Sequence, residues 1–322
     1  MTTLPFCLLD GFTTNPGDLS WETLEHIVSL TRFDRTPPEY IVERAAGCVG
    51  ILTNKVQLSR ETLDQLPDCR AVFLLSTGVN VVDLTSCSAR GIPVCNIPTY
   101  GTASVSELVF AYLFDWARKV DVHSLAVRKG AWAASEDFCF TQTPQRELRG
   151  LTLGLIGFGE IAQAVTRAAQ GIGMTVLAAT PTQEGKPDLG QQFCCLEEVL
   201  HRSDVVSLHC PLTESTENLI QSKTLQQMKS GAVLINTSRG GLVKEADLAE
   251  ALQQKKLSAA YLDVLSQEPP PPNHVLPSLP RAHITPHIAW ATRAARQRLL
   301  NELTANVQAW LDGHPKNVVN DL

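Results

Sequence analysis

The chain has 322 residues and a mass of 35.1 kDa, a length that suggests two domains. Apolar residues make up 44% and charged residues 19%, which excludes a chain too polar to form a core. The formal charge of −6 argues against nucleic acid or an anionic membrane as the main partner, because both attract basic surfaces. No apolar run is long enough to span a membrane, and Met1–Phe6 lacks the basic region of a secretory signal.

Cysteine usage indicates the compartment. The chain has 9 cysteines, an odd number with no Cys-x-x-Cys pair. This pattern predicts free thiols in a reducing cytoplasm and argues against structural zinc.

Short β-branched and leucine-rich segments alternate with helical ones along the whole chain. Strands spaced by helices predict an α/β fold with parallel, doubly wound sheets. In the first hundred residues the predicted strands are Phe6–Asp10, Leu30–Asp34, Cys48–Thr53, Ala71–Ser76 and Ile92–Asn96.

Apolar residues at helical spacing then predict one long helix over Ser104–Val120. The segment Gly130–Leu148 is aromatic and has no clear period; it is either a surface loop held by its aromatic residues or part of a site or subunit contact. A last helix is predicted over Ala291–Leu311, followed by a glycine and a proline. Between these lies a second α/β series, with predicted strands Leu151–Ile156, Thr175–Ala179, Val205–His209, Ala232–Thr237, Ala259–Val264 and His283–Thr285.

A glycine-rich turn follows the first strand of this second series. Its pattern is Gly-x-Gly-x-x-Ala, formed by Gly157, Gly159 and Ala162. The first glycine permits a tight turn, the second lets the backbone approach a pyrophosphate, and the small third residue lets the helix pack against the strand. The helix N-terminus then presents free N–H groups to the phosphates. The strand–turn–helix context predicts a nicotinamide dinucleotide site rather than an ordinary turn.

The residue at the adenosine ribose position is Thr180, at the end of the next predicted strand. An acidic residue that binds the ribose hydroxyls is expected there in an NAD site. Threonine removes the repulsion that excludes a 2′-phosphate, yet no arginine follows to bind one. Glu184 and Lys186 fit either cofactor, so the sequence leaves NAD and NADP both open.

Three polar residues follow the ends of three predicted strands in the second series: Arg239, Glu268 and His287. Ligands of open α/β sheets bind outside the carboxyl ends of the strands, so these side chains can converge. Each alone fits a structural alternative: an arginine at a helix entry, a solvated glutamate before prolines, or a histidine that caps a turn. Their matching positions downstream of a dinucleotide turn favour a catalytic group.

These three side chains fit reversible hydride transfer between a nicotinamide and a 2-oxo acid. Hydride addition at C2 leaves an alkoxide that needs a proton, and the imidazole of His287 exchanges protons near neutral pH. The Glu268 carboxylate would orient that ring and stabilise its charged form. The forked guanidinium of Arg239 can hold the substrate carboxylate and polarise the C2 carbonyl. No metal is required, and His283 with His287 is interpreted as strand plus turn rather than as a zinc pair.

Five segments carry a resemblance to a known family: Leu153–Ala162, His209–Thr213, Ile235–Gly241, Leu262–Pro270 and Thr285–Ala289. Along essentially its whole length the chain resembles the D-isomer-specific 2-hydroxyacid dehydrogenases. Three further segments resemble the glycerate dehydrogenase, or hydroxypyruvate reductase, branch: Val127–Trp132, Asp137–Phe140 and His287–Thr292.

The resemblance implies contacts with both ligands. The family's catalytic Arg, Glu and His match Arg239, Glu268 and His287. Implied substrate contacts, besides Arg239 and His287, are Asn54 and the loop residues Ser76, Thr77 and Gly78, whose counterparts bind the substrate carboxylate through backbone N–H groups. The implied cofactor contacts are Thr102, Gly157, Gly159, Glu160, Ile161, Thr180, Cys210, Pro211, Thr237, Ser238, Asp263 and Ala289, of which Asp263 faces the nicotinamide carboxamide in the family.

The resemblance also implies a split domain plan with a cleft. A flavodoxin-like substrate domain would comprise residues 1–101 and 288–322, and a Rossmann NAD(P)-binding domain residues 102–287. Homodimers are usual in the family, and Gly130–Leu148 is the segment through which they associate.

The leading hypothesis is an NAD(P)-dependent D-2-hydroxyacid dehydrogenase acting on D-glycerate/hydroxypyruvate or glycolate/glyoxylate. Phosphoglycerate dehydrogenase is a close alternative, although the chain lacks the regulatory C-terminal domain of many such enzymes. Formate dehydrogenases have a glutamine where Glu268 stands, which argues against that activity. A dinucleotide-sensing corepressor on the same fold is the alternative from another class, and the catalytic trio alone does not exclude it.

Overall fold

The computed structural model of the chain describes residues 3–322. No helix within that range is long and apolar enough to cross a membrane. Its strands are β1 Pro5–Leu8, β2 Ser29–Arg32, β3 Gly50–Thr53, β4 Ala71–Leu74, β5 Val94–Cys95, β6 Thr152–Ile156, β7 Thr175–Ala179, β8 Gln192–Phe193, β9 Val205–Leu208, β10 Ala232–Asn236, β11 Leu257–Leu262 and β12 Ala282–Ile284. Its α-helices are α1 Glu22–Glu25, α2 Ile41–Ala45, α3 Arg60–Asp64, α4 Leu84–Ala89, α5 Thr102–Arg118, α6 Val120–Arg128, α7 Glu160–Ile172, α8 Leu196–Arg202, α9 Ser222–Gln227, α10 Glu245–Gln253 and α11 Arg293–Leu311.

The chain forms two compact units. The first comprises Met1–Gly101 and Trp290–Leu322, and the second Thr102–Ala289. The sequence analysis placed the last boundary after residue 287. Residues 288 and 289 stay with the second unit because their N–H groups bind the side chain of Asp263.

The first unit is a five-stranded parallel sheet in the order β2-β1-β3-β4-β5, the flavodoxin-like order. Its central strands are buried on both faces, as parallel strands covered by helices must be. Alternate residues serve opposite faces: Ile51 packs in one apolar cluster and Leu52 in the other. The second cluster is closed by α11, through Leu299 and Leu303.

The second unit is a seven-stranded parallel sheet in the order β12-β11-β10-β9-β6-β7-β8. The strand order reverses at β6, which pairs with β7 on one side and β9 on the other, as in a Rossmann sheet. The predicted α/β class with two doubly wound parallel sheets is therefore confirmed. The two-residue edge strand β8 was not predicted, because two residues carry no periodic signal.

The single helix predicted over Ser104–Val120 is wrong. Helix α5 ends at Arg118, Lys119 adopts a left-handed conformation with φ of 45°, and α6 starts at Val120. The Lys119 ammonium binds the Asp115 carboxylate at 2.7 Å and the Tyr261 hydroxyl at 2.8 Å. Asp115 is one turn earlier in α5, but Tyr261 lies on the distant strand β11, so the local apolar period gave no sign of that contact.

The segment between α6 and β6 consists of turns and bends, as its lack of periodicity predicted. Two of its three aromatic side chains lie at the surface, and the third, Phe140, is half-buried. Trp132 is 54% exposed and Phe138 is 89% exposed. The Trp132 indole N–H donates to the carbonyl of Phe138, so the two aromatics are linked to each other at the surface.

Close packing of α8 on the sheet requires a glycine in β6, and this generates a stability prediction. A Cβ at Gly154 would lie 2.2 Å from Ser203 Oγ and 2.6 Å from Val199 Cγ1, two short, stiff side chains. Gly154→Ala should lower the free energy of unfolding by about 1–3 kcal/mol, the usual cost of overpacking.

The matched control is Gly171→Ala in α7, where an added Cβ meets no heavy atom of the described chain within 4 Å beyond its neighbours. We expect this variant to gain about 0.5–1 kcal/mol, because alanine is the better helix former. Denaturant unfolding measures both, and equal stability of the two variants would contradict the packing argument.

Candidate active site

The glycine turn after β6 is shaped by a close backbone approach. Gly157 has φ of 93°, a region that L side chains rarely adopt. A Cβ there would lie 2.6 Å from the carbonyl carbon of His209, so the turn touches the end of β9 directly. Only glycine fits both requirements, and the predicted role of Gly157 as the tight-turn residue has this physical basis.

The next glycine opens the start of helix α7. Gly159 is the N-cap residue, and the helix begins at Glu160. A Cβ at Gly159 would meet no heavy atom within 4 Å in residues 3–322, chain neighbours aside. Ala162 is completely buried against the sheet, which keeps the helix close to β6. The result is open space in front of a helix N-terminus whose first N–H groups have no helical partner.

Thr180 directly follows β7, at the carboxyl edge next to the glycine turn. Its hydroxyl lies 3.3 Å from the carbonyl oxygen of Thr182, within an exposed loop. The position is the one predicted for the ribose contact; nearby in the chain, Glu184 is exposed and Lys186 is half-buried. The geometry is compatible with either NAD or NADP.

The end of β9 places His209 and Cys210 beside the glycine turn. The imidazole Nε2 of His209 lies 2.9 Å from Ser207 Oγ, while its Nδ1 is enclosed and has no partner among the described residues. Burial lowers the pKa of His209 to about 4, so the ring is neutral near pH 7. Burial likewise raises the pKa of the Cys210 thiol, which favours its uncharged form. This wall of the site is therefore uncharged.

The end of β10 carries the predicted arginine. Ser238 donates to the Leu208 carbonyl at 2.7 Å, and the Asn236 amide donates to the Arg239 carbonyl at 2.8 Å. The loop is thereby fixed to β9 and to its own strand. The half-buried Arg239 uses Nη1 for the Ser238 carbonyl at 2.8 Å, which leaves other guanidinium N–H groups for a ligand.

A second close approach joins this loop to the one after β11. A Cβ at Gly240 would lie 1.9 Å from the carbonyl carbon of Leu265, so these two backbones are in direct contact. The Leu265 N–H in turn donates to Glu268 Oε1 at 3.0 Å. The arginine and glutamate loops are therefore packed against each other, as the sequence analysis expected.

The predicted glutamate and histidine form a pair. Glu268 Oε2 lies 2.5 Å from Nδ1 of His287, while its other oxygen accepts the Leu265 N–H. The histidine side chain is 26% exposed, so the pair is open to a ligand. Because Nδ1 is bound to the carboxylate, Nε2 is the ring nitrogen available for proton transfer. The His283–His287 interval is strand plus turn, as predicted, since β12 ends at Ile284.

The turn that carries His287 is organised by Asp263. Asp263 is 1% exposed and accepts hydrogen bonds from the N–H groups of Ile288 at 2.9 Å and Ala289 at 2.8 Å, and from the Thr285 hydroxyl at 2.5 Å. Burial raises the pKa of its carboxyl group, and these hydrogen bonds oppose that effect. The Ala289 carbonyl accepts from Ser104 near the start of α5, close in sequence to Thr102.

The predicted substrate residues of the first unit follow two adjacent strands, β3 and β4. Asn54 is buried, and its N–H donates to Asp10, which also accepts from Lys55 and Val56. In the loop after β4, the backbone N–H groups of Thr77, Gly78, Val79 and Asn80 have no acceptor within residues 3–322. Sequence reasoning missed Asp10, which no local motif connects to the loop it holds.

The second unit thus brings the predicted catalytic residues Glu268 and His287 into contact and packs the Arg239 loop beside them. A dinucleotide fits the glycine turn on two observations: the open space at Gly159 and the buried Thr237 Oγ1, which has no partner among the described residues. Within residues 3–322 no group of three His, Cys, Asp or Glu side chains is arranged to hold a metal ion. A Rossmann sheet with this turn and an imidazole–carboxylate pair defines the class of nicotinamide-dependent dehydrogenases.

Comparison with known proteins identifies the family. Residues 110–289 match the NAD-binding domain of the D-isomer-specific 2-hydroxyacid dehydrogenases, and the chain belongs to that family. It is 41% identical to a hydroxypyruvate reductase of Blautia hydrogenotrophica over 97% of this chain and 98% of the relative. It is also 41% identical to a glycerate dehydrogenase of Methylorubrum extorquens over 88% of each.

A solved structure extends the likeness to the cofactor. The NADPH-dependent glyoxylate/hydroxypyruvate reductase of Sinorhizobium meliloti, in complex with NADP and malonate, is 26% identical with a TM-score of 0.82, covering 96% of this chain and 94% of that one. The predicted family, enzyme class and NAD(P) requirement are confirmed. The chain is an NAD(P)-dependent oxidoreductase.

The open space at Gly159 leads to a binding prediction. Gly159→Ala should fold normally, because its backbone is in an ordinary region and the added methyl group meets nothing in the chain. That methyl group would occupy the space where a pyrophosphate approaches the helix, so we expect the Kd for NADH to rise at least about tenfold.

Fluorescence titration with NADH measures the affinity, and thermal unfolding checks the fold. Gly171→Ala, in the same helix but away from its start, should bind as the parent does. An unchanged Kd in Gly159→Ala would exclude the glycine turn as the pyrophosphate site.

Proposed function

We propose that this enzyme reduces hydroxypyruvate to D-glycerate and glyoxylate to glycolate, with the reverse oxidations at high product concentration. The observation that carries the proposal is the pair formed by His287 and Glu268 at 2.5 Å, at the carboxyl edge of a dinucleotide-binding sheet. The relatives named hydroxypyruvate reductase and glycerate dehydrogenase support this choice of substrates.

The chain's own groups have separate tasks in this reaction. A nicotinamide held at the glycine turn would supply the hydride for C2. The His287 Nε2 donates the proton that the C2 oxygen then needs, while Glu268 holds Nδ1 and stabilises the charged ring. Arg239 directs parallel N–H groups at the substrate carboxylate and carbonyl, and one of its remaining N–H groups keeps the fork in place on Ser238.

The residue assignments derived from the sequence form part of the proposal. The first unit would be the substrate domain, in which Asn54 and the loop Ser76–Gly78 bind substrate; the free N–H groups of this loop suit a carboxylate. The second unit would be the dinucleotide domain. The proposed cofactor contacts are Thr102, Gly157, Gly159, Glu160, Ile161, Thr180, Cys210, Pro211, Thr237, Ser238, Asp263 and Ala289.

A panel of 2-oxo acids tests the substrate class. Hydroxypyruvate, glyoxylate, pyruvate and phosphohydroxypyruvate are each supplied with NADH or NADPH, and oxidation of the cofactor is followed. We expect the highest kcat/KM with hydroxypyruvate. Preference for the phosphorylated acid would indicate phosphoglycerate dehydrogenase, and no turnover with any acid would favour a dinucleotide-binding protein without catalysis.

Two variants test the residue roles in that assay. Arg239→Lys should lower kcat/KM by at least about 100-fold, because an ammonium does not reproduce the two-pronged contact. His287→Gln should lower kcat by about 100-fold or more with a smaller change in KM, because the proton donor is lost. Arg202→Lys, on the exposed face of α8, is the control. Parental kcat in His287→Gln would exclude that residue as the proton donor.

We further propose that the enzyme is a cytoplasmic homodimer. All 9 cysteines are free, which suits a reducing compartment. A contiguous stretch of chain exposes large apolar side chains, as subunit contacts do. These residues are Phe114, Val120, Val122, Leu125, Val127, Trp132 and Phe138.

Sedimentation analysis tests the dimer. The parent should sediment at about twice the chain mass of 35.1 kDa, and Leu125→Glu should shift it toward the monomer. Val275→Glu, at an exposed valine outside this stretch, should leave the mass unchanged. A monomeric parent would overturn the assignment.

A further inference from the structure

A chain of hydroxyl groups connects helix α5 with the turn that carries His287. Tyr112 lies in the middle of α5 and is 6% exposed. Its hydroxyl is hydrogen-bonded to Thr285 Oγ1, and Thr285 is hydrogen-bonded at 2.5 Å to Asp263 Oδ1. This chain of hydrogen bonds therefore links α5, which carries none of the proposed catalytic residues, to the Asp263 carboxylate that organises the His287 turn.

The donor and the acceptor of each hydrogen bond in this chain can be assigned. An ionised carboxylate only accepts, so the single hydroxyl hydrogen of Thr285 points to Asp263. Thr285 Oγ1 must then accept from Tyr112, whose phenol is the donor. Burial raises the pKa of Tyr112, so that this donor keeps its proton throughout the pH range in which the enzyme is handled.

The carboxylate at the end of this chain of hydrogen bonds determines the shape of the catalytic turn. Besides Thr285 it binds the N–H groups of Ile288 and Ala289, and the Asp263 carbonyl accepts the His287 N–H at 2.8 Å. His287 has φ of 55°, a left-handed conformation that costs a non-glycine residue free energy and persists only when its surroundings fix it. The hydrogen bonds on both sides of His287 provide that constraint.

We propose that Tyr112 and Thr285 are positioning residues that hold the His287 turn in its working geometry through Asp263. This inference rests on the proposed role of His287 as proton donor. Neither residue takes part in the reaction itself. Tyr112 acts on Thr285, Thr285 acts on Asp263, and Asp263 shapes the turn that carries the imidazole.

A neighbouring tyrosine provides a matched control. Tyr261 packs against Tyr112 with ring centroids 5.1 Å apart, and it is also buried, in β11. Its hydroxyl donates instead to Asp115 at 2.5 Å, away from the catalytic turn. Tyr112→Phe and Tyr261→Phe therefore remove the same atom from adjacent rings, but only the first interrupts the chain of hydrogen bonds.

The kinetic test uses the holoenzyme with hydroxypyruvate. Tyr112→Phe and Thr285→Val should each lower kcat about three- to tenfold, the effect of one lost hydrogen bond. Thr285→Ser keeps the hydroxyl group and should retain parental kcat. Tyr261→Phe should also retain kcat, even if it lowers the melting temperature.

The pH profile separates positioning from loss of stability. The titratable groups that the structure relates to Asp263 are His287 on the turn and Tyr112 on α5, with Glu268 beyond the imidazole. Thr285 stabilises the ionised carboxylate by donating to it, so its removal makes Asp263 easier to protonate. The acid limb of the kcat profile should therefore move to higher pH in Thr285→Val and stay in place in Thr285→Ser.

The outcomes distinguish this inference from the proposed function. If His287→Gln keeps parental kcat, the proposed role of His287 itself fails. If His287→Gln is inactive but Tyr112→Phe and Thr285→Val match the parent in kcat and in pH profile, the positioning inference alone is overturned. It is also overturned if Tyr261→Phe lowers kcat as much as Tyr112→Phe, because the effect is then one of packing.

Discussion

The geometry of the proposed active site depends on the buried carboxylate of Asp263. A carboxylate removed from water is costly unless hydrogen bonds replace its hydration, and here two backbone N–H groups and the Thr285 hydroxyl do so. Those donors belong to the turn after β12, so the hydrogen bonds that stabilise the carboxylate also determine the shape of the turn. The left-handed conformation of His287 is stable only within that arrangement. The proposed proton donor is thus positioned by a buried acidic group that takes no direct part in the proposed proton transfer.

Two backbone contacts bring the strand ends together. Gly157 lies against the backbone of His209, and Gly240 lies against that of Leu265, where in both cases a single methyl group would clash with main-chain atoms. These contacts join the loops after β6 and β9 and the loops after β10 and β11. In a parallel sheet neighbouring loops emerge at the same edge, and glycine lets them touch rather than merely lie side by side. The glycine turn and the loops that carry the proposed catalytic residues are therefore parts of one packed edge.

Most of the elements at this edge of the second sheet could be predicted from the sequence, because local patterns mark them. The glycine turn lies on a strand–turn–helix pattern, and the three catalytic candidates follow strands, so each could be placed without tertiary knowledge. The break at Lys119 was missed because its ammonium binds Tyr261, far away in sequence. The contact between Tyr112 and Thr285 was missed for the same reason, since it depends on the position of α5 along β12. Local patterns specify elements, whereas contacts between distant elements depend on their packing.

The pairing of Glu268 with His287 also explains why the glutamate needs both of its oxygens. One oxygen accepts the Leu265 N–H and fixes the carboxylate to its loop, and the other faces Nδ1. A carboxylate bound only to the imidazole could rotate with it, and the ring would lose its fixed orientation. Because one carboxylate oxygen is fixed to the backbone, the other holds the imidazole ring in one orientation, and this fixes the direction of Nε2. The contacts that orient His287 for the proposed proton transfer are therefore contacts within the folded chain itself.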